Sequence, residues 1–287
     1  MGQSHLSVES SVDIVRNILL SHGLPDAEPL RATLEGVANA VWFCGSVVVR
    51  VCKDIEYLSD SYTEAIASPV AFEAGVLTPR MLAFDDSRTL APMPYTIFER
   101  VKGRSLSQLD TLDDPDQLYA SFGRELKKLH NGVHAVNDPL GHLDSPWFTN
   151  PHTTVAQHQE AVPEVVQKWL FPFGAEDFDT TCDAKAFVHQ DLHPENILVH
   201  DGRLAALIDW GDAGWGDPAS DFRYVPARFM AAALDAYQSD DPDLERRIWC
   251  HVLDQHLYAH VHHKSYGPVC DESWSTIEPF LNRQFRH

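Results

Sequence analysis

The chain has 287 residues, 44% of them hydrophobic, which is enough to bury a sizeable core in one large domain or in two lobes. No apolar run approaches the length of a membrane span and the first residues lack a leader pattern, so we expect a soluble, cytoplasmic protein without a membrane partner. Acidic residues outnumber basic ones by 42 to 22, a formal net charge of −20, which disfavours nucleic acid as a partner and favours cationic ligands.

The opening part of the sequence predicts two helices and four strands. Apolar residues recur at helical spacing in two segments, and β-branched and aromatic residues dominate four short runs that are separated by turn residues. The helices are predicted at 7–23 and 60–74, the second kinked or split at Pro69. The strands are predicted at 40–44, 47–52, 81–84 and 95–101.

Beyond Gly103 the spacing of apolar residues becomes mainly helical. The stretch 138–172 is rich in Pro, His and Trp and predicts a single helix. The helices predicted in this part of the chain are 118–130, 162–170, 225–237 and 242–263.

The most informative stretch is a predicted hairpin in which Asp201-Gly202 joins two short apolar runs. A two-residue turn at this point places Asn196 opposite Leu207. Since alternate residues of a strand share a face, Asp209 then points the same way as Asn196, about 7–8 Å from it. An amide oxygen and a carboxylate oxygen at that spacing suit one hard cation such as Mg²⁺. Asp191 stands just ahead of the hairpin, where it is free to meet a substrate hydroxyl.

The spacing H-x-D-x-x-x-x-N, followed by an Asp at the end of the next strand, resembles the catalytic loop and metal-binding Asp of the kinase superfamily. The full sequence of this region is similar to motifs of the aminoglycoside phosphotransferase family. It reads H-Q-D-L-H-P-E-N-I-L-V and then L-I-D-W-G-D-A-G-W-G-D-P-A-S-D-F. The similarity covers roughly Gly36 to Phe222 and is strong only from His189 onward. The sequence departs from the family at Gln190 and Glu195, where Gly is common.

The resemblance implies an α+β, protein-kinase-like fold with two lobes. Residues 1–102 would form a small N-lobe that contains an antiparallel sheet and binds the nucleotide. Residues 103–287 would form a larger, mainly helical C-lobe that carries the catalytic and substrate-binding residues. The implied cofactors are Mg²⁺ and a phosphate donor, ATP or GTP, between which the sequence does not decide.

Four residues around the hairpin take roles by the resemblance. Asp191 positions and deprotonates the acceptor hydroxyl, while Asn196 and Asp209 hold Mg²⁺ on the nucleotide phosphates. Asp221, in the closing G-D-P-A-S-D-F motif, binds backbone near the catalytic loop. The alternative for Asp221 is an ordinary helix N-cap.

For the nucleotide phosphates, the resemblance implies a covering turn at residues 34–39 and a cation on the second strand. The cation is expected to be Arg50. Lys53 is the alternative, and strand alternation puts it on the opposite face. Glu64 is implied as the carboxylate that fixes the cation, with Glu73 as the alternative.

The remaining implied roles concern the nucleobase and the acceptor. The main chain at Glu99 and Val101 is expected to meet the base edge with a carbonyl and an amide. Acidic side chains near the C-terminus are expected to bind ammonium groups of the substrate, and the candidates are Asp271, Glu272 and Glu278.

The expected function is an ATP- or GTP-dependent O-phosphotransferase that phosphorylates a hydroxyl of an antibiotic, most consistent with a cationic aminoglycoside-type compound, and so inactivates it. The alternatives are a macrolide phosphotransferase, which needs a wide apolar pocket, and a metabolic kinase for choline, homoserine or a sugar. A different class is a nucleotide-binding module without transfer activity. The complete set of Asp191, Asn196 and Asp209 argues against that last class.

Overall fold

The computed structural model describes residues 8–25, 27–32, 36–143, 148–182 and 185–286. Within these ranges the chain forms ten β-strands and eight α-helices, joined by short 3₁₀ turns. The strands are β1 Leu30–Arg31, β2 Asn39–Cys44, β3 Val47–Cys52, β4 Met81–Asp85, β5 Tyr95–Glu99, β6 Arg104–Ser105, β7 Ala186–Val188, β8 Ile197–His200, β9 Arg203–Leu207 and β10 Gly214–Gly216. The helices are α1 Val8–Ser21, α2 Leu58–Glu73, α3 Pro115–Gly132, α4 Pro151–Gln157, α5 Glu164–Leu170, α6 Met230–Tyr237, α7 Leu244–Val261 and α8 Trp274–Phe285.

The first five strands form one antiparallel sheet in the order β1-β2-β3-β5-β4. The four predicted strands are confirmed, and the two-residue β1 is an edge strand that was not predicted. The tight turn between β2 and β3 has φ +62° at Gly45, a conformation that glycine adopts without steric cost. Of the predicted phosphate-covering turn, residues 34 and 35 lie outside the described ranges.

One face of this sheet carries its own small core. Val15, Ile18 and Leu19 of α1 pack against a sheet face that includes Trp42 and Val49, and all five side chains are buried. Burying apolar area in this way supplies the main driving force for docking the helix on the sheet. Because side chains alternate along β3, its other face is free for polar groups.

Helix α2 is continuous through Pro69, so the predicted split there is wrong, while the alternative, a kink, stays a prediction. Proline removes one backbone hydrogen bond from a helix, and tertiary packing has to offset that loss. Ala67 and Ala71, on either side of Pro69, are fully buried in the same apolar cluster as the helical part of the chain. Helix α2 therefore packs into the larger core with the later helices, although it lies between β3 and β4 in the sequence.

The larger core lies among the helices, with α3 at its centre. Asp114 caps α3 by accepting a hydrogen bond from the amide of Gln117, and the predicted apolar face of this helix is buried. At Gly123 the helix approaches α6 so closely that an added Cβ would lie 2.1 Å from the carbonyl oxygen of Ala233. The predicted helices at 118–130, 162–170 and 242–263 are confirmed as α3, α5 and α7, while the one predicted at 225–237 is a 3₁₀ turn followed by α6.

Two short sheets complete the fold, one of β6, β8 and β9 and one of β7 and β10. The predicted turn at Asp201-Gly202 is confirmed, with φ values of +49° and +71°. Farther from the turn the predicted register is wrong by one residue. A bulge between β8 and β9 pairs Leu207 with Ile197 instead of Asn196. The carbonyl of Asn196 instead accepts a hydrogen bond from the amide of Ile208 at 3.0 Å.

Helices α4 and α8 and the β7–β10 pair were not predicted. In the described ranges, none of the helices combines the length and the apolar character needed to span a bilayer. The mixed architecture of a small antiparallel sheet and a larger helical region confirms the expected α+β fold class.

Candidate active site

The loop between β7 and β8 is held by one buried carboxylate. Asp221 accepts hydrogen bonds from the amides of His189 at 2.9 Å and Gln190 at 2.7 Å, and its Oδ2 lies 3.0 Å from Nε2 of His130. Burial alone would raise the pKa of Asp221, but the hydrogen bond and charge of His130 outweigh it and keep the pKa below its ordinary value. The predicted backbone role of Asp221 is confirmed. The N-cap role falls to Asp217, which accepts from the amide of Ala219.

Gln190 has φ +68°, a left-handed conformation that costs a non-glycine residue roughly 1–2 kcal/mol. This is the position where the resembling family commonly has Gly. The two hydrogen bonds to Asp221 stabilise the strained turn, so the loop keeps its conformation with Gln in that place.

Asp191 is surrounded by donors on three sides. Nδ2 of Asn196 donates to its carbonyl at 2.8 Å and lies 3.3 Å from Oδ2, while the Tyr224 hydroxyl donates to Oδ1 at 3.3 Å. Nε2 of His193 lies 3.4 Å from Oδ2. Burial raises the pKa of Asp191, but its hydrogen bond and charge interaction with His193 outweigh burial and hold the pKa below its ordinary value. With 22% of its side chain exposed, Asp191 is an ionised carboxylate that solvent can reach.

The ring of His193 is oriented by the backbone. The amide of Glu195 donates to Nδ1 of His193 at 3.2 Å, which leaves the proton of the neutral ring on Nε2, the nitrogen that faces Asp191. The side chain of Glu195 itself is exposed, so the charge that departs from the family pattern points into solvent.

Asp209 is joined to the sheet by Arg50. Nη2 of Arg50 donates to Oδ1 of Asp209 at 2.8 Å, and Nη1 donates to Glu64. Lys53 instead reaches the carbonyl of Gly36 at 2.7 Å, and Glu73 is exposed. Arg50 and Glu64 are therefore the residues that the structure brings to Asp209.

The carboxylates of this site repel one another. Burial, together with the charges of Asp191 and Asp60, raises the pKa of Asp212 to about 7. Burial also outweighs Arg50 and raises the pKa of Glu64 to about 7. Sequence reasoning missed Asp212 as a site residue, although it lies inside the motif that carried the family resemblance. A cluster with this much negative charge attracts cations.

The residues present fit a divalent cation held together with phosphate. Because Nδ2 of Asn196 is bound to the carbonyl of Asp191, the amide oxygen of Asn196 remains for a ligand. Asp209 accepts from Arg50 through Oδ1, which leaves Oδ2. One neutral and one charged oxygen are the kind of protein ligands with which Mg²⁺ is held when substrate phosphates complete its coordination.

Glu99 and Val101 lie where the chain leaves the five-stranded sheet. Glu99 ends β5 and its amide donates to the carbonyl of Arg80 at 2.9 Å. The next amide, that of Arg100, donates to Ser46 at 2.8 Å, and Val101 follows beyond the sheet. Glu99 is thus the last residue of β5, and Val101 lies on the connection from β5 to β6.

A pocket of about 170 Å³ lies beside Asp191, since its wall includes Tyr224 and Pro194. Asp271 and Glu272 also line it, but both carboxylates have protein partners. Asp271 accepts from the hydroxyl of Ser265 and the amide of Tyr266, each at 2.6 Å. Glu272 accepts from the amide of Ala227 at 2.6 Å and from Arg228 at 3.0 Å. Glu278 lies on α8, half-buried, and is not in the pocket wall.

Comparison with known proteins agrees with this geometry. The model of the phosphotransferase enzyme family matches residues 30–253, which is most of the sequence. The chain belongs to the phosphotransferase enzyme family. The resemblance to the aminoglycoside phosphotransferase family is thereby confirmed.

Viomycin phosphotransferase of Streptomyces vinaceus is 27% identical over 182 residues, 58% of this chain and 61% of that protein. The match thus spans about three fifths of that curated relative. The GDP and kanamycin complex of APH(2")-IIIa has a TM-score of 0.58 at 18% identity, covering 85% of this chain and 89% of its own. Macrolide 2'-phosphotransferase MphH of Brachybacterium faecium has a TM-score of 0.60 at 19% identity, covering 96% and 99%. These two likenesses show the protein-kinase-like fold.

Proposed function

We propose that the protein is an ATP- or GTP-dependent O-phosphotransferase that acts on a hydroxyl group of an antibiotic. The observation that carries the proposal is the ionised, reachable carboxylate of Asp191, held beside Asn196 in the loop that leads to the hairpin. Asp209, at the end of that hairpin, is bound to a buried Arg50–Glu64 pair. Phosphoryl transfer needs a positioned base and a set of positive charges on the donor side, and this arrangement supplies the residues for both.

On the donor side, we assign Asn196 and Asp209 to Mg²⁺ and Arg50 to the nucleotide phosphates, with Glu64 fixing the guanidinium. When bound, Mg²⁺ neutralises charge on the transferring phosphate. We further propose that Glu99 and Val101 meet the nucleobase through their main chain. The division into a nucleotide-binding lobe, 1–102, and a catalytic lobe, 103–287, is part of the same proposal.

On the acceptor side, Asp191 takes the proton from the substrate hydroxyl. The names of the relatives, one for viomycin and others with kanamycin or a macrolide, support an antibiotic acceptor. We propose a cationic, aminoglycoside-type compound, since the pocket beside Asp191 carries the exposed carboxylate of Asp271. Glu272 and Glu278 stay predicted ligands; Glu272 already binds Arg228, and Glu278 lies outside the pocket wall.

A macrolide is the second candidate, favoured by the apolar side chains of Val225, Val252 and Ile277 in the same pocket wall. Charge separates the two: a polycation gains from the site's carboxylates and loses affinity in high salt, whereas an apolar ring system gains mainly from burial.

The test is an acceptor screen with purified protein. Mg-ATP and Mg-GTP are each offered with aminoglycosides, macrolides, peptide antibiotics including viomycin, and small amino alcohols, and products are identified by mass spectrometry. Transfer of one phosphoryl group to one class of antibiotic supports the proposal, whereas transfer to the amino alcohols alone would indicate a metabolic kinase. Nucleotide binding without transfer to any of these acceptors would instead indicate a non-catalytic nucleotide-binding module.

A further inference from the structure

Tyr224 contacts the proposed base from outside the catalytic loop. It lies 33 positions after Asp191 in the chain, and its hydroxyl donates to Oδ1 of Asp191 at 3.3 Å. Tyr224 comes three residues after Asp221, the carboxylate that holds the backbone of that loop. One short segment therefore fixes both the main chain of the loop and the side chain of the base.

The position of the Tyr224 ring is set by its neighbours. It meets the ring of Tyr266 edge to face with centroids 5.3 Å apart, and that of His193 with centroids 5.9 Å apart. Tyr266 is anchored in turn, because Nε2 of Gln255 on α7 donates to its hydroxyl at 2.6 Å. Pairs of aromatic rings in this geometry attract each other beyond simple burial. The ring of Tyr224 is thus held by contacts from two segments, and one of these, at Tyr266, is itself anchored to α7.

The Tyr224 hydroxyl acts toward the Asp191 carboxylate as a hydrogen-bond donor, because it stays protonated. Burial, and then the negative charge of Asp191, raise the pKa of Tyr224 well above its ordinary value. The hydroxyl therefore stays protonated wherever Asp191 is ionised. A donor at Oδ1 and the His193 ring at Oδ2 restrict rotation of the carboxylate from both sides. Oδ2 already has two partners, Nδ2 of Asn196 and Nε2 of His193, whereas Oδ1 accepts from Tyr224 and keeps a second lone pair for a substrate hydroxyl.

We propose that Tyr224 is a positioning residue of the transfer reaction, which orients the Asp191 carboxylate toward the acceptor hydroxyl and is supported in that role by Tyr266 and Gln255. The inference rests on the proposed function. Orientation of a base matters because a misplacement of about 1 Å can cost on the order of 100-fold in rate. A purely structural Tyr224, serving only as a wall of the pocket, would change acceptor affinity or stability and leave turnover intact.

The test compares Tyr224→Phe with the wild type in two assays, transfer to the best acceptor of the screen and transfer to water from Mg-ATP or Mg-GTP alone. Phenylalanine keeps the ring contacts and removes the donor. We expect kcat to fall between about 10-fold and 100-fold in both assays, with the KM for nucleotide changed less than about twofold. Tyr95→Phe is the matched control, because Tyr95 is also buried and its hydroxyl also has one side-chain partner, His22 at 2.9 Å.

Tyr266→Phe provides a second, independent variant. It removes the bond from Gln255 but leaves the Tyr224 hydroxyl in place, so we expect a smaller loss of kcat in the same direction. Melting temperatures are measured for all variants, and Tyr266→Phe decides the matter if Tyr224→Phe is unfolded at the assay temperature. If the wild type transfers phosphate and the folded Tyr224→Phe variant keeps full kcat, this inference alone is overturned. If Tyr224→Phe is unfolded, the same conclusion follows from full kcat in Tyr266→Phe. A wild type that transfers to neither water nor any acceptor overturns the proposed function as well.

Discussion

Arg50 and Asp209 are 159 positions apart in the chain, yet Nη2 of Arg50 donates to Oδ1 of Asp209 at 2.8 Å. The other terminal nitrogen of the same guanidinium donates to Glu64. A planar fork of N–H groups serves two carboxylates at once, which the single ammonium of lysine does less well. This contact joins the sheet, through β3, to the segment that follows β9.

Arg50→Lys is expected to weaken nucleotide binding by about 10-fold and to destabilise the fold by about 1–3 kcal/mol, because one of two charged partners loses its hydrogen bond. Isothermal titration with nucleotide and urea denaturation measure the two effects. Lys53→Ala is the control, since Lys53 contacts the carbonyl of Gly36 away from Asp209. If Lys53→Ala weakened binding as much as Arg50→Lys, the assignment of Arg50 to the phosphates would be wrong.

Asp191→Ala is expected to reduce transfer by about 10²- to 10⁴-fold while nucleotide binding survives, since the carboxylate is proposed to act on the acceptor hydroxyl and not on the donor. Single-turnover transfer and equilibrium nucleotide binding separate the two effects. Glu195→Gln, which changes an exposed carboxylate of the same loop, should leave transfer unchanged. Undiminished turnover in Asp191→Ala would refute its role as the base.

Asp209→Ala is expected to abolish activity at every Mg²⁺ concentration, because it removes the charged ligand proposed for the ion. Titration of activity with Mg²⁺, and of nucleotide affinity with and without the metal, provides the measurement. Asp201→Asn is a suitable control, as Asp201 occupies the exposed hairpin turn and Asn tolerates its φ of +49°. A wild-type response to Mg²⁺ in Asp209→Ala would place the metal elsewhere.

Asp254→Asn should stabilise the protein in a pH-dependent way. Burial raises the pKa of Asp254 from 3.8 to about 6. Between these values the folded protein keeps a proton that the unfolded chain has lost, so stability falls as pH rises through this window. A shift of this size corresponds to about 3 kcal/mol, fully expressed only above the folded pKa.

Urea denaturation at about pH 8 and at about pH 3.5 tests this, and the gain from Asp254→Asn should be present at the higher pH and vanish at the lower one. The asparagine keeps an oxygen for the amide of Thr149, which lies 3.5 Å from Oδ2 of Asp254. The exposed Asp240→Asn serves as a control. An equal gain at both pH values would show that desolvation of the charge is not the cause.

Gly123→Ala should destabilise the core where α3 crosses α6. The new Cβ would meet the carbonyl oxygen of Ala233 at 2.1 Å, and a helical backbone cannot retreat without moving the whole helix. We expect a loss of about 1–3 kcal/mol or more, read from urea denaturation. Gly36→Ala offers a contrast, because its Cβ would enter open space. Equal stability of Gly123→Ala and wild type would mean that the two helices are farther apart than described.

Local signals were sufficient where one short segment determines its own conformation. The Asp201-Gly202 turn forms because both residues accept a positive φ, and strand alternation alone correctly separated Arg50 from Lys53. The bulge in β9 had no such signal. It inserts one residue near Ala205 and moves the partner of Leu207 from Asn196 to Ile197.

Contacts between distant segments also escaped prediction. The hydroxyl of Tyr224 reaches Asp191 only because the segment after Asp221 folds back over the catalytic loop. Glu272 looked like a free acidic group in the sequence, whereas in the fold it binds the amide of Ala227 and the side chain of Arg228. The spacing of these residues in the sequence predicts neither the Tyr224–Asp191 contact nor the contacts of Glu272.

The Asp221 carboxylate joins the amides of two loop residues to His130, which precedes it by 91 positions. During synthesis the ribosome delivers Asp191 and Asn196 before Asp221 emerges. A nascent or truncated chain that ends short of Asp221 would possess the reactive side chains without the means to hold their loop. Phosphoryl transfer would therefore require that Asp221 has joined the core, so a chain truncated before this residue is expected to be inactive although it contains Asp191 and Asn196.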